Sequence, residues 1–327
     1  MTTISPSPRV QPEPGLPSRV TVYEVGPRDG LQAEADIIPS PIKAELCARL
    51  YAAGSRHLEL TSFVPPSWIP QLADAADVVA AVEVPQGARA VALVPNLRGL
   101  RRAIDAGVRE VAVVVSATES FAQANLNTTM AGALDRAVEV IAAAGAEGLP
   151  VRGYVSMAFG DPWEGEVDTA AVTTAAAALH AAGAGTIALG DTIGVATPGL
   201  TTRLISETLA TGIPVQRLAL HLHDTYALAL ANVHTALRLG VAEFDSAIGG
   251  LGRCPYAKGA TGNLATEDLV WMLHGLGIET GLDLAALVTT TRWLSRARGV
   301  PAPSRVARAL AAAAADTSRI TQEAEPA

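Results

Sequence analysis

The stretch LALHLHDTYALALAN, residues 218–232, sets His221 and His223 one residue apart in an apolar run and follows them with Asp224 and Thr225. Alternate residues of a strand point to one face, so the two imidazoles project side by side from a strand otherwise made for burial. Taken alone, such a pair is either a structural couple or half of a metal site. The surrounding chemistry raises the second reading. EVGPRDGLQ carries Arg28, Asp29 and Gln32, HLELTS carries Glu59, VRGYVS carries Arg152 and Tyr154, LGDT ends in Asp191 and Thr192, and EFDSAI holds Asp245 and Ser246. The Gly-rich GGLGRCPYAKGATGN adds Arg253, Cys254 and Asn263. Two imidazoles, a carboxylate and an amide oxygen form a mixed nitrogen and oxygen set without thiolate. That set suits Mg²⁺ or Mn²⁺ with positions left open for substrate oxygens.

Each residue also has an ordinary reading. Arg28 and Asp29 are equally a solvated neighbouring pair. Glu59 fits a buried partner for an arginine, Asp191 a turn or cap residue, and Asn263 a loop residue in a turn conformation. Cys254 would ordinarily be a small buried apolar group, yet its segment is too polar and Gly-rich for a core.

Convergence of these residues requires a scaffold that brings strand ends together. Eight short β-branched runs recur, at 20–25, 57–61, 88–94, 109–115, 151–156, 185–189, 217–223 and 243–248. Ala-rich segments with helical spacing lie between them, among them 41–53, 131–145, 168–182, 198–210 and 227–239. Thr197-Pro198 reads as a helix start, and Gly54, Gly107, Gly183 and Gly240 as helix stops. Eight alternating units in some 250 residues predict an α/β fold, a (β/α)₈ TIM barrel with additional C-terminal helices. In that fold every strand end listed above faces one mouth. The expected division is a disordered Pro- and Ser-rich tail over 1–18, a catalytic barrel over 19–280 including the Cys-containing loop 249–265, and a helical extension and tail over 281–327. Of the two longest non-periodic stretches, AQANLNTTMAG is read as the opening of a helix and the Gly-rich one as the loop after strand eight.

A formal net charge of −8 over 327 residues disfavours a nucleic-acid or anionic-membrane partner, which would reward clustered Lys and Arg. No apolar run approaches the ~18 residues of a membrane span, and the Pro-rich start lacks an apolar signal core. With only Cys47 and Cys254, a disulfide framework is ruled out. The expected setting is the cytoplasm, with room for one functional thiol.

EVGPRDGLQ, TSFVPPSWIPQ, LGDTIGVATPG, HLHDTYALALAN, GLGRCPYAKGATGNLATEDLV and GLGIETGLDL together resemble the 3-hydroxy-3-methylglutaryl-CoA lyase family, from about residue 20 to at least 283. Arg-Asp-Gly-x-Gln and His-x-His are shared with isopropylmalate and homocitrate synthases, whereas the Cys-containing block points to cleavage. The resemblance implies a TIM barrel with a divalent cation, Mg²⁺ or Mn²⁺, held by Asp29, His221, His223 and Asn263. It implies catalytic or substrate-positioning roles for Arg28, Glu59, Asp191 and Cys254, and for His221 as an alternative to Asp191 in taking the substrate hydroxyl proton. Gln32, Tyr154, Thr192 and Arg253, with Arg28, are the expected substrate contacts. The implied reaction is C–C cleavage of an acyl-CoA to acetyl-CoA and acetoacetate, as in leucine degradation, by a homodimer. The rivals are a Claisen-condensing synthase and a non-catalytic acyl-CoA-binding barrel.

The chain departs from the family pattern at Arg253, where glycine is usual. It departs again at FGDPWEG, with Asp161 and Trp163, and at HDTYALALAN, which lacks Gly-Gln after the tyrosine. These positions bear on the acyl group accepted, with Trp163 expected to reshape its pocket.

Overall fold

The computed structural model describes residues 7–253 and 262–313. Eight parallel strands hydrogen-bond in sequence order and close on themselves: β1 Thr21–Glu24, β2 His57–Ser62, β3 Arg89–Leu93, β4 Glu110–Ser116, β5 Val151–Ser156, β6 Thr186–Asp191, β7 Leu218–Leu222 and β8 Glu243–Ser246. The first and last strands pair from Thr21 with Glu243 to Glu24 with Ser246, which seals the cylinder. Helices lie among and after the strands: α1 Ser40–Ala52, α2 Ala75–Ala81, α3 Leu97–Asp105, α4 Glu119–Leu126, α5 Met130–Ala146, α6 Thr169–Ala181, α7 Pro198–Ala210, α8 Ala229–Arg238, α9 Thr266–Gly275 and α10 Leu284–Arg298. A barrel strand has helices on one side and the packed interior on the other. Runs such as VAVVV in β4 and LALHL in β7 are therefore buried almost throughout, as a parallel sheet covered on both faces demands.

Side-chain caps fix several helix starts. Thr197 accepts from the Leu200 amide ahead of Pro198, Thr129 from Gly132, Asp168 from Ala170, and Asp283 from Ala285 and Ala286. Gly54, a predicted stop, ends the turn after α1 at φ +100°, and a Cβ there would lie 2.1 Å from the Gly281 carbonyl oxygen. Only glycine permits that approach between the end of α1 and the C-terminal extension.

Two expectations change. Residues 7–18, read as part of a disordered tail, lie against the barrel. The Gln11 amide donates to the Gly275 carbonyl, and the Glu13 carboxylate meets both His234 and Arg238 at 2.8 Å. Composition alone hid this, because the partners are on α8 and α9. AQANLNTTMAG closes α4 as well as opening α5, with Asn127 in the left-handed region at the break. The extension holds helices as expected, α10 and, after a non-helical stretch, a further helical segment over 305–313.

This extension also holds the mouth of the barrel. Glu267 on α9 accepts from the Gly249 amide and from the Thr291 hydroxyl of α10, while the Ser304 amide donates to the Gly249 carbonyl. Nearby, Glu24 of β1 accepts from the amides of Gly26 and Ile248 and from the Thr266 hydroxyl. One carboxyl thus ties the turn after β1 to the turn after β8.

Burial pushes the Glu267 carboxyl up to about 8 and Glu24 up to about 7, despite hydrogen bonds that favour the charged form. The folded values lie above the ordinary carboxyl value of 4.5, so the native state holds more protons between the two. Their contribution to stability is greatest below pH 4.5 and declines as pH rises toward about 8. Glu267→Gln, which removes one titration, is expected to flatten the fall of Tm between pH 5 and 8 in thermal melts. An unchanged slope would contradict it.

Candidate active site

At the C-terminal end of the barrel, a cavity of about 1130 Å³ is lined by Arg28, Asp29, Gln32, Tyr154, Thr192, His221, His223 and Arg253, together with apolar and amide side chains of the loops after β2 and β4. This is the mouth that the fold predisposes to function. Asp29 and Arg28 sit on a single helical turn, Gly26–Gly30, that β1 feeds directly into the mouth. His221 is on β7, and His223 just beyond it forms a bridge with Asn263 across the returning Gly-rich segment. At the stem of that segment Gly262 passes so close that a Cβ would fall 2.3 Å from the Gly250 carbonyl oxygen. The stem therefore delivers Asn263 to the same spot as the imidazoles.

Asp29, His221 and His223 each bring one ligand atom within 4.8 Å of the others. His221 Nε2 and Asp29 Oδ2 stand 4.0 Å apart. That gap is too wide for a hydrogen bond and lies within the span of two bonds of ~2.1 Å to one ion. Asn263 donates from Nδ2 to Asp29 Oδ2 at 2.8 Å and to the Leu251 carbonyl at 3.0 Å. Its Oδ1 is buried and accepts no hydrogen bond from the described residues. A buried carbonyl-type oxygen without a donor, beside a carboxylate and two imidazoles, fits a divalent cation.

Arg28 lies beside this cluster. Its Nε donates to Glu59, its Nη1 donates to Asp29 Oδ1 at 2.6 Å, and the Tyr154 hydroxyl donates to the other Glu59 oxygen at 2.8 Å. A bulge in β2 follows Glu59, which is fully buried behind Arg28 and does not itself line the cavity. Burial opposes the charge on Arg28, and Glu59 and Asp29 outweigh it, so the guanidinium is held as a cation. For Asp29 burial pushes upward, but Arg28 and the two imidazoles prevail and pull its carboxyl down to about 2. Burial lowers His221, while the hydrogen bond and charge of Asp245, then Asp29, raise it above its ordinary value.

Gln32 is oriented by a 3.0 Å bond from Nε2 to Asp29 Oδ1, and Thr192 Oγ1 accepts from the Met157 amide. Asp191 is placed differently. Both its oxygens accept amides of the turn before α7, from Val195 and Ala196 at 2.9 Å, and burial lifts its carboxyl to about 6. The cap reading of Asp191 thus describes its hydrogen bonds, and it does not line the cavity.

Trp163, expected at the acyl pocket, is half-exposed and outside the cavity lining. Asp161 beside it is buried, accepting from the Thr118 hydroxyl and from the amides of Trp163 and Glu164. Cys254 lies outside the described residues. Cys47 is fully buried on α1, where burial pushes its thiol far up, so it is a core residue.

The HMGL-like family model matches residues 19–294, the whole barrel and most of α10. The chain belongs to the HMGL-like family. It is 47% identical over 299 residues to the 3-hydroxy-3-isohexenylglutaryl-CoA/hydroxymethylglutaryl-CoA lyase of Pseudomonas aeruginosa, covering 91% of this chain and 99% of that protein. It is 48% identical over 296 residues to the mitochondrial hydroxymethylglutaryl-CoA lyase of Arabidopsis thaliana, covering 90% of this chain and 63% of that protein. The chain therefore spans under two thirds of the plant protein. The crystal structure of hydroxymethylglutaryl-CoA lyase from P. aeruginosa superposes with a TM-score of 0.88 at 47% identity, over 91% of this chain and 99% of that one. As a member of the HMGL-like family the chain is a lyase-type enzyme on a TIM barrel.

Sequence reasoning missed roles for two family-barrel residues, Asp245 and Arg152. Asp245 Oδ2 meets His221 Nδ1 at 3.0 Å, and its Oδ1 accepts from Arg152 Nη2. The signal was the inward parity of a charged residue on strand eight. The register that pairs His221 with Asp245 appears only when the barrel closes.

Proposed function

We propose that this chain cleaves the C2–C3 bond of 3-hydroxy-3-methylglutaryl-CoA, or a close 3-hydroxy-3-alkylglutaryl-CoA, into acetyl-CoA and a 3-oxo acid, acetoacetate for the methyl substrate. The observation that carries the reading is the buried Arg28 cation beside the cluster of Asp29, His221, His223 and Asn263 at one cavity. The cavity volume of about 1130 Å³ is on the scale an acyl-CoA needs.

In the reaction the 3-hydroxyl loses its proton, its oxygen becomes the carbonyl of the 3-oxo acid, and the C2–C3 electron pair passes into the thioester as an enolate. C2 then takes a proton. Asp29, His221, His223 and Asn263 would hold a divalent cation, Mg²⁺ or Mn²⁺, which would supply Lewis acidity to the substrate. Arg28, preorganised by Glu59 and Asp29, stabilises the charge that develops on the thioester oxygen. Tyr154 holds Glu59 in place for that task. Of the two candidates for the hydroxyl proton, His221 lines the cavity, whereas Asp191 has both oxygens on backbone amides and does not. By the family resemblance, the Cys254 thiol delivers the proton to C2. Arg253 lines the cavity next to it in sequence and supplies a cation for a substrate carboxylate or a CoA phosphate. The same reading places the enzyme in the cytoplasm, as a homodimer acting in leucine degradation. Among the described residues no helix is long and apolar enough to cross a membrane.

Purified protein loaded with Mn²⁺ is to be offered 3-hydroxy-3-methylglutaryl-CoA and longer 3-alkyl analogues, with acetyl-CoA release as the readout. Release from at least one thioester, abolished in Cys254→Ala, is expected. Absence of release from all of them sinks the reading, and thiol-independent condensation of an acyl-CoA with a 2-oxo acid would replace it.

A further inference from the structure

Below the metal-ligand cluster a chain of charged groups runs down the barrel interior. His221 Nδ1 meets Asp245 Oδ2 at 3.0 Å, Asp245 Oδ1 accepts from Arg152 Nη2 at 2.5 Å, and Arg152 Nη1 reaches Glu243. Arg152 crosses from β5 to β8, and its guanidinium lies 4.1 Å from the centroid of the Tyr23 ring. Asp245 and Arg152 are 1% and 2% exposed, so neither exchanges its partner for solvent.

We propose that Asp245 and Arg152 are positioning residues that set the tautomer of His221. The inference rests on the metal-site reading above. A carboxylate offers only acceptor oxygens, so a ring nitrogen facing it must carry the proton and donate. The proton of the neutral ring is thereby fixed on Nδ1. Nε2, on the side of Asp29, is left with its lone pair free to bind a cation. Arg152 makes this arrangement one-way. A guanidinium can only donate, so whatever stands at position 245 must turn an acceptor toward Arg152. With aspartate both atoms are acceptors, and the second still faces His221.

Asparagine at this position cannot satisfy both neighbours in the same way. Its amide oxygen is claimed by Arg152, which turns the NH₂ group toward His221. Nδ1 must then accept, and the ring proton moves to Nε2, where it occupies the lone pair that a cation needs. Asp245→Asn is nearly isosteric, yet it is expected to invert the tautomer and weaken Mn²⁺ binding roughly 10- to 100-fold, the usual range for loss of such a partner.

The test uses the full chain, free of metal, with ¹⁵N-labelled histidine, at a pH where the ring is neutral. The His221 signal is identified by its loss in His221→Gln. Two-bond ¹⁵N–¹H correlation is expected to show the proton on Nδ1 in the parent and on Nε2 in Asp245→Asn, with the Mn²⁺ affinity of the variant lowered as stated. A role confined to packing would shift Tm and leave the tautomer alone. A parent ring protonated on Nε2 overturns the proposal, and that measurement stands even if the variant does not fold. A variant that keeps either the parent tautomer or the parent Mn²⁺ affinity also overturns it. Failure of the parent itself to bind Mn²⁺ would instead fall on the metal-site reading.

Discussion

Arg28→Gln is expected to lower turnover of 3-hydroxy-3-methylglutaryl-CoA by at least about 10²-fold, the scale found when one preorganised oxyanion donor is removed. Arg28 is buried in the mouth and locked by two carboxylates, Glu59 and Asp29, so under the proposed role it would meet the thioester without reorganising. Charge appears on the thioester oxygen only as the C2–C3 bond breaks, so the loss should fall on kcat far more than on KM. Arg28→Lys should not restore activity. A lysine ammonium is a single point charge on a flexible stem and cannot hold Glu59 and Asp29 through separate arms of one planar group. Steady-state kinetics of both variants check this, and turnover close to that of the parent in Arg28→Gln would refute the role.

Chelation of the divalent cation is expected to lower turnover by about 10³-fold or more, since Lewis-acid stabilisation amounts to several kcal/mol. Added Mn²⁺ or Mg²⁺ should restore it, with the far-UV circular dichroism unchanged throughout. The barrel core is closed by eight strands and does not run through the ion site, so the fold should survive the loss. Affinity for the ion should depend on pH through the imidazoles. Asp29 is pulled down to about 2 and stays anionic across the working range. His221 is raised above its ordinary value of 6.5, so protons compete with the ion as pH falls through that region, and affinity should drop there. A drop only near the ordinary carboxylate range would point to other ligands.

The barrel was legible because its signal is repetitive. All eight β-branched runs became strands, with VRGYVS matching β5 over 151–156 and PGLTTRLISETLA matching α7 over 198–210. Short or less regular helices such as α2 and α4 did not stand out, because seven or eight residues give too few turns for a clear period. His221 and His223 were legible as a same-face pair because strand parity is local. Their meeting with Asp29, more than 190 positions earlier in the chain, followed only from the barrel geometry. The lateral contacts inside the barrel were not legible. Nothing in the spacing of Arg152 and Asp245 says that they pair across the interior, nor that Asp245 faces the histidine of the neighbouring strand. Residues 7–18 illustrate the same limit, since Glu13 pairs with His234 and Arg238, more than 220 positions later in the sequence.

Titration of the metal-free chain with Mn²⁺, followed by electron paramagnetic resonance, addresses the shared site of Asp29, His221, His223 and Asn263 most directly. One tightly bound ion per chain is predicted, with binding lost or weakened at least about 10-fold when a direct ligand is removed in His223→Ala, a cost no smaller than that of losing an outer-shell partner. No stoichiometric binding in the parent, or equal binding in parent and variant, would contradict the account.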